Sequence, residues 1–101
     1  MTAEASSGDA IPAAIPRAAL VTGAAHRIGR SIALELAAQG FAVAIHYHRS
    51  AEAAEALAAD IRGMGVAAAT IRADLGSEDE TAGLVGRAAD ALGPLGCLVN
   101  N

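Results

Sequence analysis

Apolar and polar positions along this chain fall into blocks whose period switches between strand and helix. Ala18 to Thr22 is a short apolar run bounded by Arg17 and Gly23, which predicts a buried strand. Ile28, Ile32 and Leu36 recur every four residues and mark one helix face, and Gly40 ends that helix. Phe41 to Tyr47 reads as a second strand. Ser50 is expected to cap the next helix, with Glu52 in its first turn. Ala54, Leu57, Ala58 and Ile61 follow helical spacing, and Gly63 and Gly65 close the helix. Val66 to Arg72 is a third strand. Ser77-Glu78-Asp79-Glu80 reads as a capping box opening a third helix. Leu84, Val85, Ala88 and Leu92 line that helix, and Gly93-Pro94 stops it before a fourth strand from Leu95 to Val99.

Strand alternating with helix predicts an α/β fold, a Rossmann-type doubly wound parallel sheet with right-handed crossovers, truncated after about the fourth strand. Residues 1–16 carry Glu4 and Asp9 and no basic residue, so they are expected to be a disordered Ala/Ser/Pro tail and not a secretory signal. Residues 17–101 are expected to form one cofactor-binding half-domain.

Composition narrows the functions. Aromatics are 2% of the chain, Phe41 and Tyr47, and the net charge is −4. Neither suits base stacking or tracking of a phosphate backbone, so no nucleic-acid partner is expected. No segment approaches the length of a membrane span, so no membrane partner is expected either. All seven basic residues are arginine. The absence of lysine excludes a Schiff-base lysine, a P-loop lysine and a Tyr/Lys proton-transfer pair within these residues. Cys97, in an apolar run, is expected to be a buried core thiol. A lone cysteine forms no internal disulfide, which fits a reducing, cytoplasmic setting.

Thr22-Gly23-Ala24-Ala25-His26-Arg27-Ile28-Gly29 lies between the first strand and the first helix, where a dinucleotide site must lie. Gly23 would permit the tight turn, and Gly29 the close packing of helix on sheet. The first-turn N–H groups and the helix dipole would then face a pyrophosphate. The alternative, a strand–helix turn that merely uses glycine, is weakened by this context.

After the second strand stands His46-Tyr47-His48-Arg49-Ser50, without the carboxylate that would hold a ribose 2′-hydroxyl. Arg49 offers a forked cation suited to a phosphate, Ser50 can add hydrogen bonds, and Tyr47 or His48 could flank the adenine. This charge logic points to NADP(H), against a solvated basic loop. His46 and His48 share a strand face but lack a third ligand at sensible spacing, so no metal is expected. Asp74 either accepts from the adenine amino group, with Leu75 against the ring, or is a turn residue before the capping box. Asn100-Asn101 lies at the ligand edge of the sheet or only pins neighbouring backbone.

Thr22-Gly23…Gly29, Asp74-Leu75 and Leu98-Val99-Asn100-Asn101, the last being the start of an N-N-A-G stretch, together resemble the short-chain dehydrogenase/reductase family over residues 17 to 101. The family's T-G-x-x-x-G-x-G pattern has its middle glycine replaced by Arg27, which, with His46-Tyr47-His48-Arg49-Ser50, is similar to the pteridine reductase branch. The resemblance implies that Arg27 contacts the pyrophosphate and borders the substrate, beside Gly23, Ile28 and Gly29 of the same motif. It implies that Tyr47, His48, Arg49 and Ser50 hold the 2′-phosphate, that Asp74 and Leu75 hold the adenine, and that Asn101 lies near the adenosine ribose. Family catalysis uses Tyr-x-x-x-Lys, but Tyr47 is followed four residues later by Ala51. No catalytic residue is carried over, and the pair is expected in a second half.

The expected function is therefore the cofactor-binding part of an NADPH-dependent reductase that passes hydride to a C=N or C=O bond of a small molecule, with pterins leading because of Arg27. A general carbonyl or ketoacyl reductase and a non-catalytic NADP-binding fragment are the alternatives. The resemblance also implies a homo-oligomeric parent protein. A fourth strand left as an edge would expose Leu95, Cys97 and Val99.

Overall fold

A computed structural model describes residues 15–101. Four strands, β1 (Ala18–Val21), β2 (Ala42–Tyr47), β3 (Ala68–Arg72) and β4 (Cys97–Val99), alternate with three helices, α1 (Arg27–Ala38), α2 (Ala51–Gly63) and α3 (Glu78–Leu92). The strands form one parallel sheet in the order β3-β2-β1-β4. The chain steps outward from β1 to β3, then returns to the other side of β1 for β4. That reversal is a topological switch point, and the crevice beyond the carboxyl ends of β1 and β4 is where such sheets take ligands.

Both sheet faces are covered, so the strands read as continuous apolar runs. Val21, Val43 and Ile45 point toward α1 and α2, where Ala33, Ala37, Ala54, Leu57, Ala58 and Ile61 complete one core. Leu20, Ala44 and Ile71 point the other way, under Leu84 and Ala88 of α3. Gly40 (φ +91) turns the chain out of α1, and the N–H groups of Gly40 and Phe41 bond the carbonyls of Ala37 and Leu36. This is a Schellman closure, for which the left-handed residue must be cheap.

Several expectations change. The buried face of α1 is Gly29, Ala33 and Ala37, one position round from Ile28, Ile32 and Leu36. Small side chains let the helix sit close to the sheet, while Ile28 stays 69% exposed and Ile32 and Leu36 are half-buried beside it. Val85 of α3 is likewise exposed, and only Leu84 and Ala88 of its row are buried. Cys97 is half-buried, because β4 has β1 on one side and no neighbour on the other among the described residues. Leu95 and Val99 are half-buried too, and Leu98 is the residue of β4 that stands exposed. Of the expected tail, residues 1–14 lie outside the described residues. Pro16 and Ile15 lie against Gly96, where a Cβ would collide with the Pro16 carbonyl. Among the described residues no helix is long and apolar enough to cross a membrane.

Candidate functional site

The carboxyl ends of β1, β2, β3 and β4 bring the singled-out residues to one edge of the sheet. Between β1 and α1, Gly23 adopts φ +59, a left-handed turn that glycine makes without strain. A Cβ on Gly29 would run into the Gly23 carbonyl and the Asn101 side chain, so the helix rests directly on the loop. Arg27 is the only non-glycine residue with positive φ (52°) among the described residues. It holds the position where the glycine pattern has its middle glycine, and the left-handed backbone explains that preference. Keeping arginine there costs about 1 kcal/mol of backbone strain, the kind of outlier that clusters at binding sites.

The start of α1 is chemically open. His26 is its N-cap but makes no side-chain cap bond, and no acidic residue lies in its first turn. The first N–H groups of a helix have no intrahelical partner, and the dipole adds partial positive charge there. An anion is the natural complement.

Two cavities flank this point. One, of about 260 Å³, is lined by Gly23, Ala25, His26, Tyr47, His48, Arg49 and Ser50. The other, about 930 Å³, is an apolar groove along α1 formed by His26, Arg27, Ile28, Ser31, Ile32, Glu35, Leu36 and Asn101. Arg27 and Arg49 thus stand on different cavities, and His26 lies between them. Both arginines are exposed, without a carboxylate partner in the described ion pairs.

Ser50 departs from its expected role. Its hydroxyl makes no cap bond on α2 and instead lies 2.8 Å from His26 Nε2, across the smaller cavity. Asp74 accepts the Gly76 N–H at 2.9 Å through Oδ1, the turn role, while Oδ2 lies 3.9 Å from His48 Nε2. Leu75 beside it is exposed. Asn101 pins backbone: its Nδ2 donates to the Gly23 carbonyl at 3.2 Å, and its N–H donates to Thr22 Oγ1 at 2.9 Å.

Three residues that sequence reasoning left without a role are central to this geometry. Thr22 is buried, and its N–H donates to the Val99 carbonyl at 3.0 Å, tying β1 to β4 below the loop. His26 bridges to Ser50. His46, 3% exposed, bonds both the loop and the end of β3. The signal for His46 in the sequence is a polar residue inside an otherwise apolar strand.

Comparison with known proteins agrees with this architecture. The family model described as short chain dehydrogenase matches residues 17–101. A 3-oxoacyl-[acyl-carrier-protein] reductase, FabG, of Staphylococcus aureus is 44% identical over 85 residues, 84% of this chain and 35% of that protein. The crystal structure of FolM alternative dihydrofolate reductase 1 from Brucella canis, complexed with NADP, is 46% identical with a TM-score of 0.78, covering 83% of this chain and 34% of that one. A short chain dehydrogenase from Burkholderia cenocepacia in complex with NADP is also 46% identical, with a TM-score of 0.81, covering 85% and 35%. The chain therefore spans about a third of the length of the relatives it matches.

Proposed function

Because the chain belongs to the short-chain dehydrogenase family, we propose that residues 17–101 are the NADP(H)-binding half-domain of a reductase. The observation that carries this reading is the end of β2, where His48, Arg49 and Ser50 line a cavity beside the open start of α1 and no carboxylate from that strand end competes for a ribose hydroxyl. The bound nucleotide supplies hydride to a C=N or C=O bond. The chain's own residues hold and orient it. The N–H groups at the start of α1, with Gly23, Arg27, Ile28 and Gly29, take the pyrophosphate and the cofactor's inner edge. Tyr47, His48, Arg49 and Ser50 take the adenosine 2′-phosphate. Asp74 and Leu75 border the adenine, and Asn101 borders the ribose. N–H groups at an uncapped helix start, a left-handed glycine turn and an exposed guanidinium without a carboxylate partner among the described residues are a donor set suited to a dinucleotide phosphate.

A pterin-like substrate is the leading reading. It is supported by Arg27, held in strained backbone on the larger groove, and by the similarity to an alternative dihydrofolate reductase. Reduction of a ketoacyl thioester is the second reading, supported by the similarity to a 3-oxoacyl reductase. In either case the protein is read as a cytoplasmic homo-oligomer acting on a small molecule.

The test is cofactor preference. NADPH should bind more tightly than NADH, and Arg49→Ala should weaken NADPH about tenfold or more while leaving NADH nearly unchanged. Calorimetric titrations giving equal affinities for the two nucleotides would overturn the 2′-phosphate assignment.

A further inference from the structure

We propose that His46 is the positioning residue of the nucleotide loop, a neutral imidazole whose Nδ1 fixes Gly23 and whose Nε2–H anchors that grip to the end of β3. The inference rests on the cofactor reading above and adds a residue to it.

The hydrogen bonds define the tautomer. The Gly23 N–H donates to His46 Nδ1 at 2.9 Å, so Nδ1 carries no proton. His46 Nε2 lies 2.9 Å from the Ala73 carbonyl, which can only accept, so Nε2 carries one. The backbone carbonyl of His46 takes the next loop N–H, that of Ala24, at 3.1 Å. One residue therefore holds two successive amides of the loop and reaches across to the third strand. Ala73 immediately precedes Asp74, so the same imidazole joins the pyrophosphate end of the site to its adenine end.

Gly23 is where this grip matters most. Its φ is +59, its carbonyl takes the Asn101 side chain, and that carbonyl lies so close to Gly29 that a Cβ there would collide with it. With its N–H tied to His46, both polar backbone groups of Gly23 have partners, and the next N–H, that of Ala24, is held by the His46 carbonyl, so the first part of the turn is fixed ahead of the amides at the start of α1. Preorganised donors bind without the cost of ordering them afterwards. A slack Gly23 would let the strained Arg27 backbone relax and turn those amides off the ligand. The charged or titratable side chains on the segments around His46 include His26 and Arg27 at the loop and the start of α1, Tyr47 at the end of β2 with His48 and Arg49 just after it, Arg72 and Asp74 at the end of β3, and Glu80 of α3, which holds the Asp74 N–H. None of these makes a described hydrogen bond to the imidazole.

Two substitutions separate the halves of the clamp. Asparagine places Oδ1 as many bonds from the backbone as Nδ1 and can accept from Gly23, but cannot reach Ala73. Glutamine places its amide at the distance of Nε2 and can donate to Ala73, but leaves the Gly23 N–H unpaired. In the intact protein, His46→Asn should keep NADPH affinity within about threefold of wild type, whereas His46→Gln should weaken it about tenfold or more. Urea unfolding should show comparable stability losses for the two. Equal affinities for the two variants, or losses that simply track stability, would overturn the proposal.

Should either variant fail to fold, nitrogen NMR of the wild-type imidazole decides. An unprotonated Nδ1 with a protonated Nε2 and a slowly exchanging Gly23 amide supports the clamp, and the opposite tautomer removes it. Wild type failing to bind NADPH would sink the cofactor reading alone, since the NMR result stands without nucleotide.

Discussion

Two helices of this molecule begin in opposite ways. α3 closes its own N-terminus: the Ser77 hydroxyl accepts the Glu80 N–H, and Glu78, Asp79 and Glu80 set negative charge against the dipole. α1 does none of this. Its cap residue is a histidine without a cap bond, its first residue is a strained arginine, and no carboxylate stands in its first turn. Both follow a strand of the same parallel sheet, so topology does not account for the contrast. A helix end satisfied by its own side chains contributes stability and has nothing left for a ligand. An end left open sacrifices about 1 kcal/mol of capping and keeps its donors for an anion.

The sharpest way to break the open end is to fill it. Gly29→Ala would place a methyl against the Gly23 carbonyl and 2.6 Å from Asn101 Nδ2. Alanine's helix propensity alone would add about 1 kcal/mol of stability, while overpacking against backbone costs up to about 3 kcal/mol. The net expectation is a loss of about 2 kcal/mol in chemical denaturation, together with loss of measurable NADPH binding. A variant as stable as wild type and still able to bind would show that the loop and helix are not in the contact described.

A smaller change would make the start of α1 resemble that of α3. Ile28 is largely exposed in the first turn, so Ile28→Glu forfeits little packing. The new carboxylate should favour the helix dipole by roughly 0.5 kcal/mol. It should also repel a dinucleotide, weakening NADPH about a hundredfold through like-charge repulsion. Stability and affinity are thus expected to move in opposite directions, and a parallel change in both would contradict the division of labour.

What was legible in the sequence follows the same division. The strands announced themselves because both faces of a parallel sheet are buried. The loop announced itself through Gly23 and Gly29 at the end of a strand. The buried face of α1 lies one residue round from the face its periodicity predicts, because bulky residues dominate that pattern, whereas Gly29, Ala33 and Ala37 decide how closely the helix can approach. Ser50 had the chemistry of a cap, but its hydroxyl went to His26, a partner 24 residues away. Only half of the capping box forms: Ser77 caps Glu80, but the Glu80 carboxylate turns back to the Asp74 N–H and to Arg72 instead of the Ser77 N–H. His46 was illegible as a clamp because its partners, Gly23 and Ala73, meet only once three strands are aligned. Local pattern identifies which groups need partners, and only the sheet register assigns them.

The smallest test leaves α1 alone and opens α3 instead. Ser77→Ala removes the hydroxyl that accepts the Glu80 N–H at 3.4 Å, a long bond at the weak end of such caps. The expected loss is therefore about 0.5 kcal/mol, read as a small drop in the denaturation midpoint with an unchanged slope. NADPH affinity should not change, because Glu80 remains fixed by Arg72 and the Asp74 N–H, so the end of β3 keeps its place. A clear fall in affinity would mean that the α3 start is coupled to the site through Asp74. The two helix starts would then be parts of one device, not a stabilising end and a binding end.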